Sequence, residues 1–150
     1  MKKLLQLLAL ATLATTGTAA AQDCSSTITG NDQIQYSQQE IVVDAQCDEF
    51  TLTLEHTGML PVMQMGHNWV LTRTEHWEEI AQTGQGAGLE NDYLPADEER
   101  IIVSTAMIGG GEQTSITFDV SALDPDEDYT FFCSFPGHFA LMNGEFILSS

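Results

Sequence analysis

DYTFFCSFPGHFALMNGEFILSS, residues 128–150, decides the fold. Two runs rich in aromatic and β-branched residues, DYTFFCSF and EFILSS, flank a Pro136-Gly137 turn, which reads as two strands joined by a loop that folds back between them. Working outward, STITG, QEIVVD, FTLTLEH, GHNWVLTR, RIIVST and TSITFDV carry the same residue types, often in alternation. Turn signals such as Gly30-Asn31-Asp32, Gly109-Gly110-Gly111 and Asp124-Pro125-Asp126 separate them. About eight short strands at this spacing, with no βαβ rhythm, predict an all-β antiparallel sandwich or barrel. Residues 74–99 are the exception: EHWEEIAQ, then GQGAG, then NDYLPADEE predict a short helical flap outside the sheets. No repeat and no second domain is visible.

The length, 150 residues, and the apolar share of 43% fit one globular domain. Lys2 and Lys3 precede an apolar run, LLQLLALATLATT, which ends in the small residues Ala19-Ala20-Ala21. This is the pattern of a secretory signal, and it is too short for a comfortable transmembrane helix, an uncleaved anchor being the alternative. Residues 1–21 are therefore predicted to be removed, leaving 22–150 as the domain. Cleavage takes half of the basic residues, so only Arg73 and Arg100 remain against 22 carboxylates, a formal charge of −20 with histidine neutral. Such a surface repels nucleic acid and anionic lipid and favours basic protein partners through salt-sensitive steering. A salty habitat would select the same composition.

Three cysteines leave one over. In an exported chain Cys24 and Cys47 are natural disulfide partners, closing a loop of just over twenty residues. Cys133 is then free, and a free thiol in an oxidising compartment needs burial, intermolecular pairing, or reactive or metal-binding work. It is not isolated. His138 and Met142 follow it with four and three residues between, around the Pro136-Gly137 turn. His67, in MGHNWVLT, is the best second imidazole, at a strand start behind a glycine that permits close backbone approach. Two imidazoles, a thiolate and a weak thioether match the trigonal site with a long axial methionine of blue copper centres. Thiolate and thioether favour Cu(I), and imidazole suits both oxidation states. Taken singly, Met142 reads equally as core packing and His67 as a hydrogen-bonded structural residue.

The motifs GNDQIQY, HTGMLPVMQMGHNWVLT, AGLENDYL, GGGE with SITFDVS, and YTFFCSFPGHFALMNGEF run through nearly all of residues 22–150. In them the chain resembles the azurins, small blue copper proteins of the cupredoxin class. The resemblance implies an eight-stranded Greek-key fold with one type 1 copper per chain, cycling between Cu(II) and Cu(I). It implies a periplasmic one-electron carrier, not an enzyme. Carried over by position, the ligands are His67, Cys133 and His138, with Met142 axial and the Gly66 carbonyl as a second weak axial contact. Asn68 and Phe135 match residues whose backbone amides bond the cysteine sulfur, and Cys24 and Cys47 match the family's disulfide. The implied entrance for electrons is the ring edge of His138 at the surface, within an apolar patch of Leu60, Met65, Phe135, Gly137 and Ala140. The implied partners are redox proteins such as c-type cytochromes or copper reductases, met by a monomer that does not insert in membranes.

Departures concern the patch and the charge. Gln64 and Gln85 stand where apolar residues are expected, and Phe139 replaces a small polar residue, which predicts a narrower patch. His56 matches a partly buried family histidine and reads equally as a structural residue beside the site. His76, among acidic neighbours, is expected on a solvated helix. Copper delivery and thiol catalysis at Cys133 with His138 as base are the competing functional classes, and zinc would fit the same ligands.

Overall fold

The computed structural model describes residues 24–149, so the predicted signal segment lies outside the described residues. In chain order the strands are β1 (Ser25–Gly30), β2 (Glu40–Asp44), β3 (Glu49–His56), β4 (Val70–Arg73), β5 (Ile101–Ser104), β6 (Gln113–Asp119), β7 (Tyr129–Phe132) and β8 (Asn143–Ser149). Two helices interrupt them, α1 (Val62–Met65) and α2 (Trp77–Gly84). Strand β3 shows how residue order makes the core. Phe50, Leu52, Leu54 and His56 point inward while Thr51, Thr53 and Glu55 alternate outward. The outward threonines of β3 bond across to Thr117 and Ser115 of β6.

Two sheets result, one ordered β1-β3-β6 and the other β2-β8-β7-β4-β5. They face each other as a sandwich and do not close into a barrel. Phe118 from the small sheet and Phe131 and Phe146 from the large one surround Trp69, with ring centroids 5.7–6.2 Å away. The expectation of a purely antiparallel arrangement is corrected at two places. Strands β1 and β3 run parallel, as do β2 and β8. The cause is the path: β2 crosses to the opposite sheet, so the chain returns for β3 in its original direction beside β1.

Strands β4 and β7 do not alternate, because both of their faces are covered. Every residue of β7 is buried, and so are the first three of β4. The outer face carries a second small core, in which Val70 and Phe132 meet Ile80 and Ala81 of α2. The predicted flap is thus present, and it is a lid over the middle of the large sheet. Phe139 packs into this outer core with its ring 6.3 Å from Trp77, so it serves the flap. His76 sits at the N-terminus of α2 against Glu75, as its acidic surroundings suggested.

Cys24 and Cys47 are joined in a disulfide, with 23 residues of sequence separation. It ties the start of β1 to the turn before β3. On the chain-entropy argument a loop of this length contributes about 3 kcal/mol. The double variant C24S/C47S is expected to lose about that much in a denaturant titration. An unchanged midpoint would mean that the reduced, unfolded chain is already restricted there.

Candidate metal centre

Two segments meet at one end of the sandwich. The first is Gly66-His67-Asn68, which leads into β4. His67 exchanges both backbone hydrogen bonds with Ile108, at 2.9 and 2.8 Å. The second is the loop after β7, closed on itself because Cys133 N–H donates to the Met142 carbonyl at 2.9 Å. Within the loop Met142 N–H donates to the His138 carbonyl at 2.8 Å, and Gly137 takes φ +82°, a left-handed conformation that glycine adopts without strain. The chain therefore turns inward three times, at Cys133, His138 and Met142.

Asn68 locks the two segments together. Its side-chain oxygen accepts from Ser134 N–H at 2.9 Å and its amide donates to Ser134 Oγ at 2.8 Å. All of these groups are buried. Sequence reasoning assigned Asn68 only through its backbone amide and missed Ser134, whose partner lies 66 positions away.

His67, Cys133 and His138 converge, with one ligand atom of each within 4.8 Å of the others. Cys133 Sγ lies 3.9 Å from His67 Nδ1, 3.7 Å from His138 Nδ1 and 3.8 Å from the Gly66 carbonyl oxygen. His67 Nε2 is 2.9 Å from the Asn31 carbonyl, an acceptor, so that nitrogen holds the proton and Nδ1 keeps its lone pair for a metal. Gly30 makes room for the ring, since a Cβ there would stand 2.6 Å from His67 Cδ2. Both residues fall in the Gly30-Asn31-Asp32 turn, which the residue pattern marks only as a turn.

His56 stacks on His67 at 4.3 Å and is almost wholly buried. Its Nδ1 accepts from Gly58 N–H and its Nε2 donates to the Met65 carbonyl at 2.7 Å. It is a hydrogen-bonded support behind a ligand, consistent with the structural reading. His138 is nearly buried. Its residue is only 3% exposed, with the Phe135 ring 4.5 Å from its own, so any opening to solvent is narrow. It is nonetheless the sole member of the triad with any solvent-facing surface, the other two being at 0%.

The donor set fits a metal such as copper. Bond lengths of about 2.3 Å to sulfur and about 2.0–2.1 Å to nitrogen separate S and N by about 3.8 Å in a trigonal arrangement and by about 3.6 Å in a tetrahedral one. The observed 3.9 and 3.7 Å are spacings that one metal ion can bridge from the sulfur to each imidazole. Three buried donors with one sulfur and two nitrogens also exclude the oxygen-rich cages of calcium and magnesium.

The comparisons with known proteins agree. The family described as copper binding proteins, plastocyanin/azurin family, matches residues 22–149. The chain belongs to the plastocyanin/azurin family. It is 48% identical to the azurin of Achromobacter denitrificans over 149 residues, covering 96% of this chain and all of that one. It is 51% identical to the azurin of Alcaligenes faecalis over 127 residues, covering 85% and 99%. A solved azurin of Methylomonas sp. strain J superposes with a TM-score of 0.81 at 46% identity, over 85% of this chain and 98% of that one. The protein is a cupredoxin that carries electrons on copper between redox partners, and it is not an enzyme. Among the described residues no helix is long and apolar enough to cross a membrane.

Burial sets the protonation of this azurin-family site when it is metal-free. It lowers His67 and His138 from 6.5 to about 4 and raises the Cys133 thiol from 9.0 to about 12. The backbone amides of Asn68 and Phe135, directed at the sulfur, oppose that rise. Both imidazoles therefore have free lone pairs at neutral pH, while the thiol must release its proton to bind. Between pH 6.5 and about 4 the unfolded chain binds protons that the folded site refuses, so acidification destabilises the metal-free fold. Between pH 9 and about 12 the unfolded thiol ionises first, so stability falls again as pH rises. The thermal midpoint of metal-free protein is expected to plateau between these windows. Calorimetry showing a midpoint that rises from pH 6.5 to 4 would contradict the assignment.

Proposed function

We propose that His67 Nδ1, Cys133 Sγ and His138 Nδ1 are the three strong copper ligands, with Met142 and the Gly66 carbonyl as weak axial contacts. The observation that carries this reading is the buried triad, in which hydrogen bonds and packing hold every donor. Met142 is fully buried in the same cluster as Cys133. Copper supplies the one-electron couple. The chain holds the ligands in one arrangement that serves both oxidation states, and keeps water away from the sulfur. The Asn68 and Phe135 amides draw charge from the thiolate and so favour the reduced form. A delivery protein would expose its ligands for exchange, and these are covered.

Electrons enter through His138. Around it Leu60, Gly137 and Ala140 are exposed, and Met65 and Phe135 are half-buried. Gln64 and Gln85, where apolar residues were expected, are exposed as well. The surface suits brief docking of c-type cytochromes or copper reductases onto a monomer carrying one copper, exported to the periplasm and cleaved to begin at Gln22. The test is Leu60→Asn at the patch. The variant is expected to keep the visible spectrum of the copper form while slowing electron exchange with a c-type cytochrome about tenfold, as loss of a central apolar contact does at small interfaces. Unchanged exchange would remove Leu60 from the docking surface.

A further inference from the structure

Of the six methionines, Met1 starts the chain and Met142 is buried at the centre. The other four are Met59, Met63, Met65 and Met107. Three of them fall within seven residues, MLPVMQM, on the segment that ends at Gly66 and His67. Met59 is 91% exposed and Met63 77%, more than any other large apolar residue among those described. Burial explains neither. Met107 approaches the same segment from the neighbouring loop, where a Cβ on Gly66 would stand 2.9 Å from its Cγ and Sδ.

The backbone under these side chains is fixed. Asp32 accepts from Met59 N–H at 2.8 Å, and Gly110 N–H donates to the Leu60 carbonyl at 2.8 Å. Gln64 and Met65 N–H both donate to the Pro61 carbonyl, at 2.9 and 3.0 Å, which forms the single turn of α1. Thioether sulfur is neutral and soft, so it disfavours the hard ions calcium and magnesium and accepts Cu(I). Arg73 and Arg100 are both engaged with carboxylates, and the chain is strongly anionic, which raises the local concentration of cations.

We infer that Met59 and Met63, with Met65 and Met107 toward the centre, form a surface Cu(I)-binding site that captures the ion and passes it to the buried triad. The transfer is a ligand exchange with no change of oxidation state. Thioether–copper bonds break, bonds to Cys133 Sγ and the two Nδ1 atoms form, and the Cys133 thiol proton leaves to solvent. Delivery rests on the copper reading of the triad, whereas capture does not.

The test uses the full copper-loaded protein, reduced and kept free of oxygen, titrated with Cu(I) against a competing Cu(I) chelator. A second equivalent is expected to bind and to shift the ε-methyl NMR signals of Met59 and Met63. In M59L/M63L, which keeps size and apolar character, the second equivalent should weaken by about tenfold or more. Copper-free M59L/M63L should also load from Cu(I) more slowly than the parent, yet reach the same blue absorbance on oxidation. Absence of a second equivalent, or its persistence in the variant, overturns capture and leaves the methionines as part of the docking surface. Normal capture with an unchanged loading rate overturns delivery. Failure of the copper-free parent to take up a first equivalent would sink the copper reading of the triad, and the two counts are separate.

Discussion

Cys133→Ala is expected to remove the intense blue absorption that the parent chain shows with Cu(II), and to replace it with a pale, ordinary copper signal. The band requires a thiolate bound to copper, and Cys133 is the one cysteine outside the disulfide. Two imidazoles remain in the variant. They hold Cu(II) weakly, and solvent or buffer completes its coordination. Electron paramagnetic resonance should change in step, from a narrow to a wide copper hyperfine splitting. The fold should survive, because the change removes one buried sulfur atom while the loop keeps its own backbone hydrogen bonds. A circular dichroism spectrum matching the parent would therefore assign the optical loss to the ligand. A blue band retained in the variant would sink the assignment, since no other thiol in the chain could supply it.

The same residues show how far the sequence could be read. Cys133, His138 and Met142 were legible as a candidate cluster because a cysteine, a histidine and a methionine recur at tight spacing around one turn. His67 was legible because a glycine precedes it at a strand start. Strand β3 was legible through its strict alternation, which one buried face imposes. Strands β4 and β7 were recognisable by composition, but not their burial on both faces, which depends on a flap distant in sequence. The parallel pairs were hidden for a similar reason, since the sheet that a strand joins is decided by the path between sheets. Asn31 and Ser134 were missed altogether. A carbonyl that orients an imidazole can belong to any residue, and a serine bonded 66 positions away leaves no local pattern. The extent to which His138 is enclosed was not legible either, because it depends on the ring of Phe135, two residues after the cysteine, packing 4.5 Å from the imidazole.

Trp69→Ala is expected to cost about 3–5 kcal/mol of stability, the range for removing a large aromatic from a packed core. A typical domain has only about 5–15 kcal/mol in total, so the metal-free variant should melt far below the parent or fail to fold at moderate temperature. The position accounts for the size of the effect. Trp69 is wholly buried and its ring touches Phe118 of one sheet and Phe131 and Phe146 of the other, so truncation opens a void where the layers meet. Its indole Nε1 has no hydrogen-bond partner among the described residues, so no bond to another side chain or backbone group there is lost with it, and the loss is one of packing. Trp69 also follows His67 and Asn68 directly, while Phe131 lies two residues before Cys133. Loosening this contact relaxes both segments that carry the ligands. On the proposed ligand set copper binds the folded chain alone, so it should raise the melting temperature of both the variant and the parent by mass action. The copper-loaded variant should still melt below the copper-loaded parent, and its blue band should broaden as the ligands lose their fixed spacing. If Trp69→Ala lost less than 1 kcal/mol, the interface between the sheets would have to close around the void. The ligand geometry would then rest on the Asn68–Ser134 lock and the backbone bonds of the loop, and not on the core beneath them.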